Sequence, residues 1–344
     1  MSVSVIVGGQ FGSEGKGKVS LYFARKFGVA AVVRVGGTNS GHTVVDDLGN
    51  PHIFRSLPTA SIDSAFLNIL PSGSYLDLDI FAKEVKNVNA DKAKIMIDPY
   101  AVIIDEEMKS EEQTGALLDS IGSTQSGTGA AVKRRIERQK SITFARDVDD
   151  LNPFISDTKS VMRQLLNNGQ HIVIEGTQGF GLSPINAANI YPFCTSRDTT
   201  ASSFVAEAGL SPLDVSNIIM VIRSFPIRVS GNSGPIGPLE NETDWETIKQ
   251  SSGSSFDLTE YTSATKRIRR VAKFDAEIVK RAITVNNPNI IVMNHLDYID
   301  YSCHDSASLS EKICSFILDV ESQMGCQIDY IGTGQSLLTA RWEG

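Results

Sequence analysis

The stretch GGQFGSEGKGK, residues 8–18, carries the residue types of a phosphate loop in an unusual order. A common phosphate loop places four residues between its first glycine and a Gly-Lys pair, and follows the lysine with Ser or Thr. Here the interval from Gly9 to Gly15-Lys16 is one residue longer, Gly17 stands where the hydroxyl would be, and Ser13 sits at the centre before Glu14. The chemistry is still that of anion binding. Glycines let successive backbone N–H groups turn toward one anion, the helix that follows adds the positive end of its dipole, and Lys16 or Lys18 supplies a point charge. A GTPase switch of the phosphate-loop type needs the missing hydroxyl to hold Mg²⁺, so Gly17 argues against one.

Four further stretches bear chemistry. VRVGGTNSGHTV at 33–44 is a second glycine-rich turn after a strand pattern, and its flanking glycines are expected to expose His42, which can donate to a developing oxyanion. IGSTQSGTGAAVKRRIERQK at 121–140 and YTSATKRIRRVAKFD at 261–275 place hydroxyls before cationic runs. Hydroxyls with arginines make a fork for carboxylate or phosphate. For the first run a solvated helix face competes; for Arg267, Arg269 and Arg270 an anion site is expected. IEGTQGFGL at 174–182 brings Glu175 and Gln178 to a strand end, where polar groups suit an amide-bearing ligand such as a purine. NHLD at 294–297 approximates the arrangement in which an aspartate accepts from guanine N1 and N2, with His295 where lysine would stand.

Elements must position these residues. Val- and Ile-rich runs at 3–8, 29–35, 67–70, 94–98, 171–176, 217–224 and 289–294 read as strands buried on both faces. Helix-period segments at 16–27, 79–87, 105–118, 157–168, 198–209, 275–286 and 308–323 lie between several of them. Alternation of this kind predicts an α/β fold with a mostly parallel central sheet flanked by helices, its ligands at the carboxyl ends of the strands. No linker composition divides the 344 residues, so residues 1–344 are expected to form one catalytic domain. The formal charge of −8 argues against nucleic acid as a partner. Absence of an apolar run near 18 residues argues against a membrane one. Four cysteines without metal-type spacing fit a reduced, cytoplasmic compartment.

Together the motifs resemble the adenylosuccinate synthetase family over nearly the whole chain. The family's loop, G-x-Q-[WF]-G-D-E-G-K-G-K, is matched at every fixed position but one. Further matches are G-G-x-N-x-G-H-T at 36–43, P-S-G at 71–73, I-G-[ST]-T at 121–124, E-G-x-Q-G at 175–179, Y-P-x-x-T-S at 191–196, T-x-R-x-R at 265–269, the segment 295–297 and T-G at 333–334. The resemblance implies a phosphate-loop-NTPase-like fold and a ligase that phosphorylates a purine O6 and then lets L-aspartate displace the phosphate at C6. Gly12, Ser13, Glu14, Gly15, Lys16, Gly17, Lys18, Gly41, His42 and Thr43 would hold the triphosphate, with His295, Asp297, Gly332, Thr333 and Gly334 at its base. Ser13, Asn39, Thr124, Arg138, Gln178, Thr195 and Arg267 would hold the nucleoside monophosphate, Arg138 reaching across a homodimer interface. Ser263, Ala264, Thr265, Arg267 and Arg269 would hold aspartate. Mg²⁺ would meet Ser13 and the Gly41 carbonyl, and Ser13 and His42 occupy the catalytic positions.

Ser13 is the departure: the family has aspartate there, a base toward N1 of IMP and a Mg²⁺ ligand. One reading is loss of function, since a missing general base costs about 10²–10⁴-fold. The other is a changed substrate. Guanine adds a 2-amino group that would crowd a carboxylate, whereas serine is smaller and can accept from it. In this the chain resembles the bacteriophage 2-aminoadenylosuccinate synthetases, which implies dGMP as acceptor, ATP or dATP as donor and, for a phage-encoded chain, the host cytoplasm. Conventional use of IMP with GTP, or a non-catalytic purine-nucleotide sensor, remain the alternatives.

Overall fold

A computed structural model describes residues 2–88, 94–115, 121–187, 190–262 and 266–341. Its centre is a nine-stranded sheet formed by β1 (Ser2–Gly8), β2 (Ala31–Arg34), β5 (Leu67–Leu70), β7 (Ile95–Ile97), β9 (His171–Glu175), β10 (Val215–Arg223), β14 (Ile290–Asn294), β15 (Tyr330–Ile331) and β16 (Thr339–Ala340). The order across it is β16-β15-β14-β10-β1-β9-β2-β5-β7, parallel throughout except for the β15–β16 pair. The seven long apolar runs are therefore seven of the nine strands. The order reverses around β1, β9 and β10, so the turns after these strands open at a topological switch point, where such sheets bind ligands.

Strand alternation divides the core between two faces. Val3, Val5 and Val7 pack with Phe204, Ile278 and Ile317 on one side, while Ile6 packs with Val19, Phe23 and Phe81 on the other. The covering helices are α1 (Lys16–Phe27), α2 (Leu78–Asn87), α3 (Glu106–Thr114), α4 (Thr128–Ile136), α5 (Thr158–Asn167), α6 (Ala201–Ala208), α7 (Trp245–Ser252), α8 (Ala276–Asn286) and α9 (Glu311–Met324). Periodicity anticipates all of these but α4 and α7. No helix among the described residues is long and apolar enough to cross a membrane.

The cationic run at 133–138 turns out to be the end of α4 and the residues after it. Lys133 and Arg134 pair with Glu111 and Glu107 of α3, and Arg135 donates to the Ser72 carbonyl at 2.7 Å. These three charges serve helix packing within the chain. The turn after β2 leads into a hairpin, β3 (His42–Val45) with β4 (Pro51–Phe54), His42 opposite Phe54. The short strands β6 (Tyr75–Leu76) and β8 (Val102–Ile103) pair with each other, and β11 (Ile227–Arg228), β12 (Glu242–Thr243) and β13 (Arg270–Ala272) form a small sheet of their own.

This hairpin lies on the first turn of α1 and explains Gly17. A Cβ there would sit 2.6 Å from the Thr43 carbonyl oxygen and 2.9 Å from Cγ2 of Thr59. The hydroxyl of the common phosphate loop is excluded by close packing, so Gly17→Ser is expected to lower stability by about 1–3 kcal/mol. The midpoint of urea unfolding measures it.

Candidate active site

The loop between β1 and α1 is wrapped around its own glutamate. Oε1 of Glu14 accepts from the backbone N–H groups of Gln10 at 3.2 Å and Gly12 at 2.7 Å, and Oε2 from Nζ of Lys16 at 2.6 Å. Glu14 and Lys16 are buried. Gly12, Ser13 and Gly15 all take positive φ, of 96°, 57° and 89°. For Ser13 that conformation is uncommon, and two arginines hold it. Arg223 donates to its carbonyl at 2.9 Å and Arg269 to its Oγ at 2.5 Å. Arg223 is itself paired with Glu260, which also accepts from the Tyr298 hydroxyl at 3.2 Å.

His42 is buried, contrary to the exposure expected from its glycine neighbours. Its Nδ1 lies 2.6 Å from Oε1 of Glu175, a carboxylate that also accepts from Arg34 at 2.7 Å and from N and Oγ1 of Thr59 at 2.9 and 2.7 Å. Burial, together with the charge of Arg34, brings the imidazole down to about 4 despite Glu175. Burial alone would raise Glu175, but His42, Arg34 and Thr59 hold it down to about 2. The pair is thus a neutral imidazole donating from Nδ1 to a carboxylate, which leaves Nε2 for other chemistry.

Beside the loop opens a cavity of about 580 Å³, within the range of small-ligand sites, roughly 300–1,000 Å³. Gly12, Ser13, Asn39, Gly41, Thr124, Gln178, Thr195 and Arg269, all expected from the sequence, line it. Leu182, Pro184, Ile227 and Val229 give it an apolar stretch, and Ser123, Ser126, Thr128 and Ser196 a wall of hydroxyls. Asn39 reaches Thr195 at 3.4 Å. The carboxylate of Glu112, also at the wall, accepts from the N–H groups of Gly127, Gly129 and Ala130 at the start of α4, at 2.9, 2.6 and 3.2 Å.

A second cluster forms around Lys18. Its ammonium donates to the carbonyls of Gly334 and Leu337 at 3.2 and 3.0 Å, and burial brings it down to about 8. Leu296 N–H donates to the Gly332 carbonyl at 3.2 Å, which joins segment 295–297 to segment 332–334 as expected. His295 adopts φ 61°, and Thr333 Oγ1 is tied to the Ser306 carbonyl at 2.8 Å. Oδ2 of Asp297 accepts from His304 at 2.8 Å, while its buried Oδ1 has no hydrogen-bond partner. An orphaned acceptor of this kind is costly unless a ligand completes it.

The remaining expectations divide. Ser263, Ala264 and Thr265 lie outside the described residues. Arg138 and Arg267 are exposed and do not line the cavity within this chain, and Thr43 is exposed on the hairpin. Arg270, expected at an anion site with Arg269, is bound instead to Glu242, Ser233 and the Gly234 carbonyl. Residues the sequence reading missed include Arg55 and Arg228 in the cavity wall, Arg34 and the orienting role of Glu175 behind His42, Arg223 with Glu260, and His304 on Asp297. The acidic strand end at Glu175 facing a basic one at Arg34 was the available signal for one of these pairs.

A phosphate loop, a buried His–Glu pair and a hydroxyl-walled cavity at the strand ends define a phosphate-binding α/β protein. A family model for adenylosuccinate synthetase matches residues 5–146 and 139–304. The adenylosuccinate synthetase of Methanococcus aeolicus is 34% identical over 345 residues, covering 98% of each chain. That of Pyrococcus horikoshii is 34% identical over 341 residues, covering 97% of this chain and 96% of its own. Among solved structures, cyanophage S-2L succinoaminodeoxyadenylate synthetase bound to dGMP and dATP superposes with TM-score 0.81 at 25% identity, covering 99% and 95% of the two chains. Plasmodium falciparum adenylosuccinate synthetase shares the fold with TM-score 0.83 at 18% identity, covering 98% and 99%. The chain belongs to the adenylosuccinate synthetase family, whose members are ligases.

The His42–Glu175 pair carries a pH signature. The unfolded chain protonates His42 near its ordinary 6.5, the folded chain only near 4, so stability is full above 6.5 and falls as pH falls toward 4. Glu175 continues the loss between its ordinary 4.5 and about 2. Urea midpoints measured from pH 7.5 to 4 are expected to decline, and His42→Asn to flatten the part between 6.5 and 4.

Proposed function

We propose that this chain joins L-aspartate to C6 of dGMP, consuming ATP or dATP and giving 2-amino-2′-deoxyadenylosuccinate. The observation that carries the proposal is Ser13, a neutral residue in the loop position where the family has a carboxylate, facing the cavity with its Oγ bound to Arg269. That oxygen keeps a lone pair for a 2-amino group and presents no charge to guanine N1–H. The dGMP and dATP bound by the cyanophage enzyme support the same reading. In it residues 1–344 form one catalytic domain, the γ-phosphoryl group is transferred to O6, the amine of aspartate attacks C6, and inorganic phosphate leaves.

This chain's residues divide the work. The loop Gly12–Lys18, with Gly41, His42 and Thr43, receives the triphosphate, and Lys16 exchanges Glu14 for phosphate oxygens. His42 is neutral beside Glu175, and the arriving polyanion raises its proton affinity, so that Nε2 gains the proton it donates toward O6. Asn39, Thr124, Gln178 and Thr195 hold the monophosphate, joined by Arg138 of a second chain in a homodimer and by Arg267. Arg267 and Arg269, with residues 263–265, take the carboxylates of aspartate. Ser13 is too weak a base for N1–H, so that proton passes to water, and Arg269 beside it lowers the free energy of the purine that has lost it.

Mg²⁺ belongs to this reading as a hard ion held through oxygen. Among the described residues no cluster of three or more His, Cys, Asp or Glu is arranged for a metal, and Glu14 is saturated. The Gly41 carbonyl suits an ion that arrives with the phosphates and keeps water ligands, whereas Ser13 Oγ, with one lone pair on Arg269 and the other turned to the 2-amino group, has none left for it; bound, the ion would neutralise phosphate charge.

One observation favours the conventional donor. The free Oδ1 of Asp297 is an acceptor of the kind guanine N1 and N2 satisfy, and the archaeal relatives are adenylosuccinate synthetases. Phosphate release with aspartate and Mg²⁺ should be assayed for each of dGMP and IMP against ATP, dATP and GTP. We expect dGMP-dependent turnover that also requires aspartate; turnover with IMP alone overturns the reading, and binding without phosphate release favours a sensor. Ser13→Asp is expected to shift the ratio of kcat/KM at least about tenfold toward IMP, which corresponds to roughly 1.4 kcal/mol.

A further inference from the structure

We infer that Arg55 is the in-chain receptor for the 5′-phosphate of the purine monophosphate, an inference that rests on the ligase reading but not on which purine is used. The residue carries no motif, yet it lines the cavity and is pinned at two points. Its backbone N–H donates to Glu84 at 2.6 Å, the same carboxylate that collects the N–H groups of Ser56 and Leu57, and its Nε donates to the Thr38 carbonyl at 2.7 Å. Among the described residues that is the only hydrogen bond of its side chain, and no carboxylate pairs with it. The two terminal nitrogens are left uncommitted on a guanidinium whose stem and Nε are fixed, which is the fork geometry that suits phosphate.

The other cavity arginines have fewer terminal nitrogens to offer. Arg228 directs one terminal nitrogen to the Pro235 carbonyl and the other to that of Phe193, at 3.1 and 2.6 Å. Arg269 commits Nη1 to Ser13 and Nε to the Tyr261 carbonyl.

Position selects the phosphate among the possible anionic groups. Segment 37–39 contacts Arg55 through Thr38, Thr195 through Asn39, and Thr128 at Gly37, where a Cβ would lie 2.7 Å from Oγ1 of Thr128. Arg55 is therefore tied through segment 37–39 to the hydroxyl-bearing wall of the cavity. At that wall the α4 amides that would ordinarily take a phosphate are occupied by Glu112, whose charge repels one. A cation is required there; in the reading above Arg138 of a second chain reaches it from outside, and Arg55 supplies one from within the chain.

The test measures binding of dGMP, IMP, deoxyguanosine and inosine to the full chain and to Arg55→Gln and Arg55→Lys. A charge-assisted contact to phosphate predicts that Arg55→Gln weakens both nucleotides by roughly ten- to a hundred-fold while both nucleosides stay within about twofold, and that Arg55→Lys recovers part of the loss. Equal weakening of nucleotides and nucleosides would mean a structural role and overturns the inference, as does unchanged nucleotide affinity. If the unaltered chain binds neither nucleotide, the ligase reading itself fails.

Discussion

The site is organised around one buried carboxylate. Glu175 ends the strand β9, and its two oxygens accept hydrogen bonds from Arg34 on β2, His42 on β3 and Thr59. An ion taken out of water costs several kcal/mol unless its lone pairs are filled and its charge is paired. Each of the three partners is therefore held where Glu175 needs it. Arg34 extends the constraint, since its Nη2 also reaches the carbonyls of Ser40 and Phe54, at 2.8 and 3.4 Å, and so ties the turn before the hairpin to the end of β4. The placement of His42 and of Gly41 follows from a bond network centred on a residue of another strand.

Three further carboxylates act in a related way. Glu14 occupies the amides of the loop after β1, Glu112 those at the start of α4, and Glu84 those of residues 55–57. Unpaired buried N–H groups are expensive, so each glutamate lets a glycine-rich or irregular segment hold its shape without a ligand. The loop and the α4 start differ in what a phosphate meets there. In the loop Glu14 shares its charge with Lys16, and an incoming phosphate can exchange for it. At α4 Glu112 has three amides and, among the described residues, no paired cation, so those amides do not themselves take an anion.

Much of this was legible in the sequence because it is local. Continuous runs such as those at 171–176 and 217–224 announce strands buried on both faces, and the glycines of 8–18 announce a phosphate turn between β1 and α1. What failed was long-range. Glycines beside His42 read as exposure, but its burial comes from pairing with Phe54 and from a carboxylate 133 residues away. Arg269 and Arg270 look equivalent, yet successive residues of extended chain point to opposite sides, and only the first faces the cavity. Arg55 lies in HIFRSLP with no neighbour to mark it; its meaning arises from Thr38 and Glu84, which the fold brings to it.

The exchange at position 13 changes more than the size of one side chain. Arg269 lies against Ser13 Oγ, so a carboxylate carried by the same backbone would form an ion pair with that guanidinium and cancel its field in the cavity. Serine keeps a hydrogen bond and leaves the positive charge only partly balanced, since the Glu260 beside it is committed first to Arg223. A ligand entering this end then meets a cation with a hydroxyl in front of it. Such a pair favours an electron-rich O6 and a purine that sheds its N1 proton, and it tolerates a 2-amino donor. In the reading proposed above, the acid that the loop lacks is replaced by field: deprotonation is favoured by the charge that the missing aspartate would have neutralised.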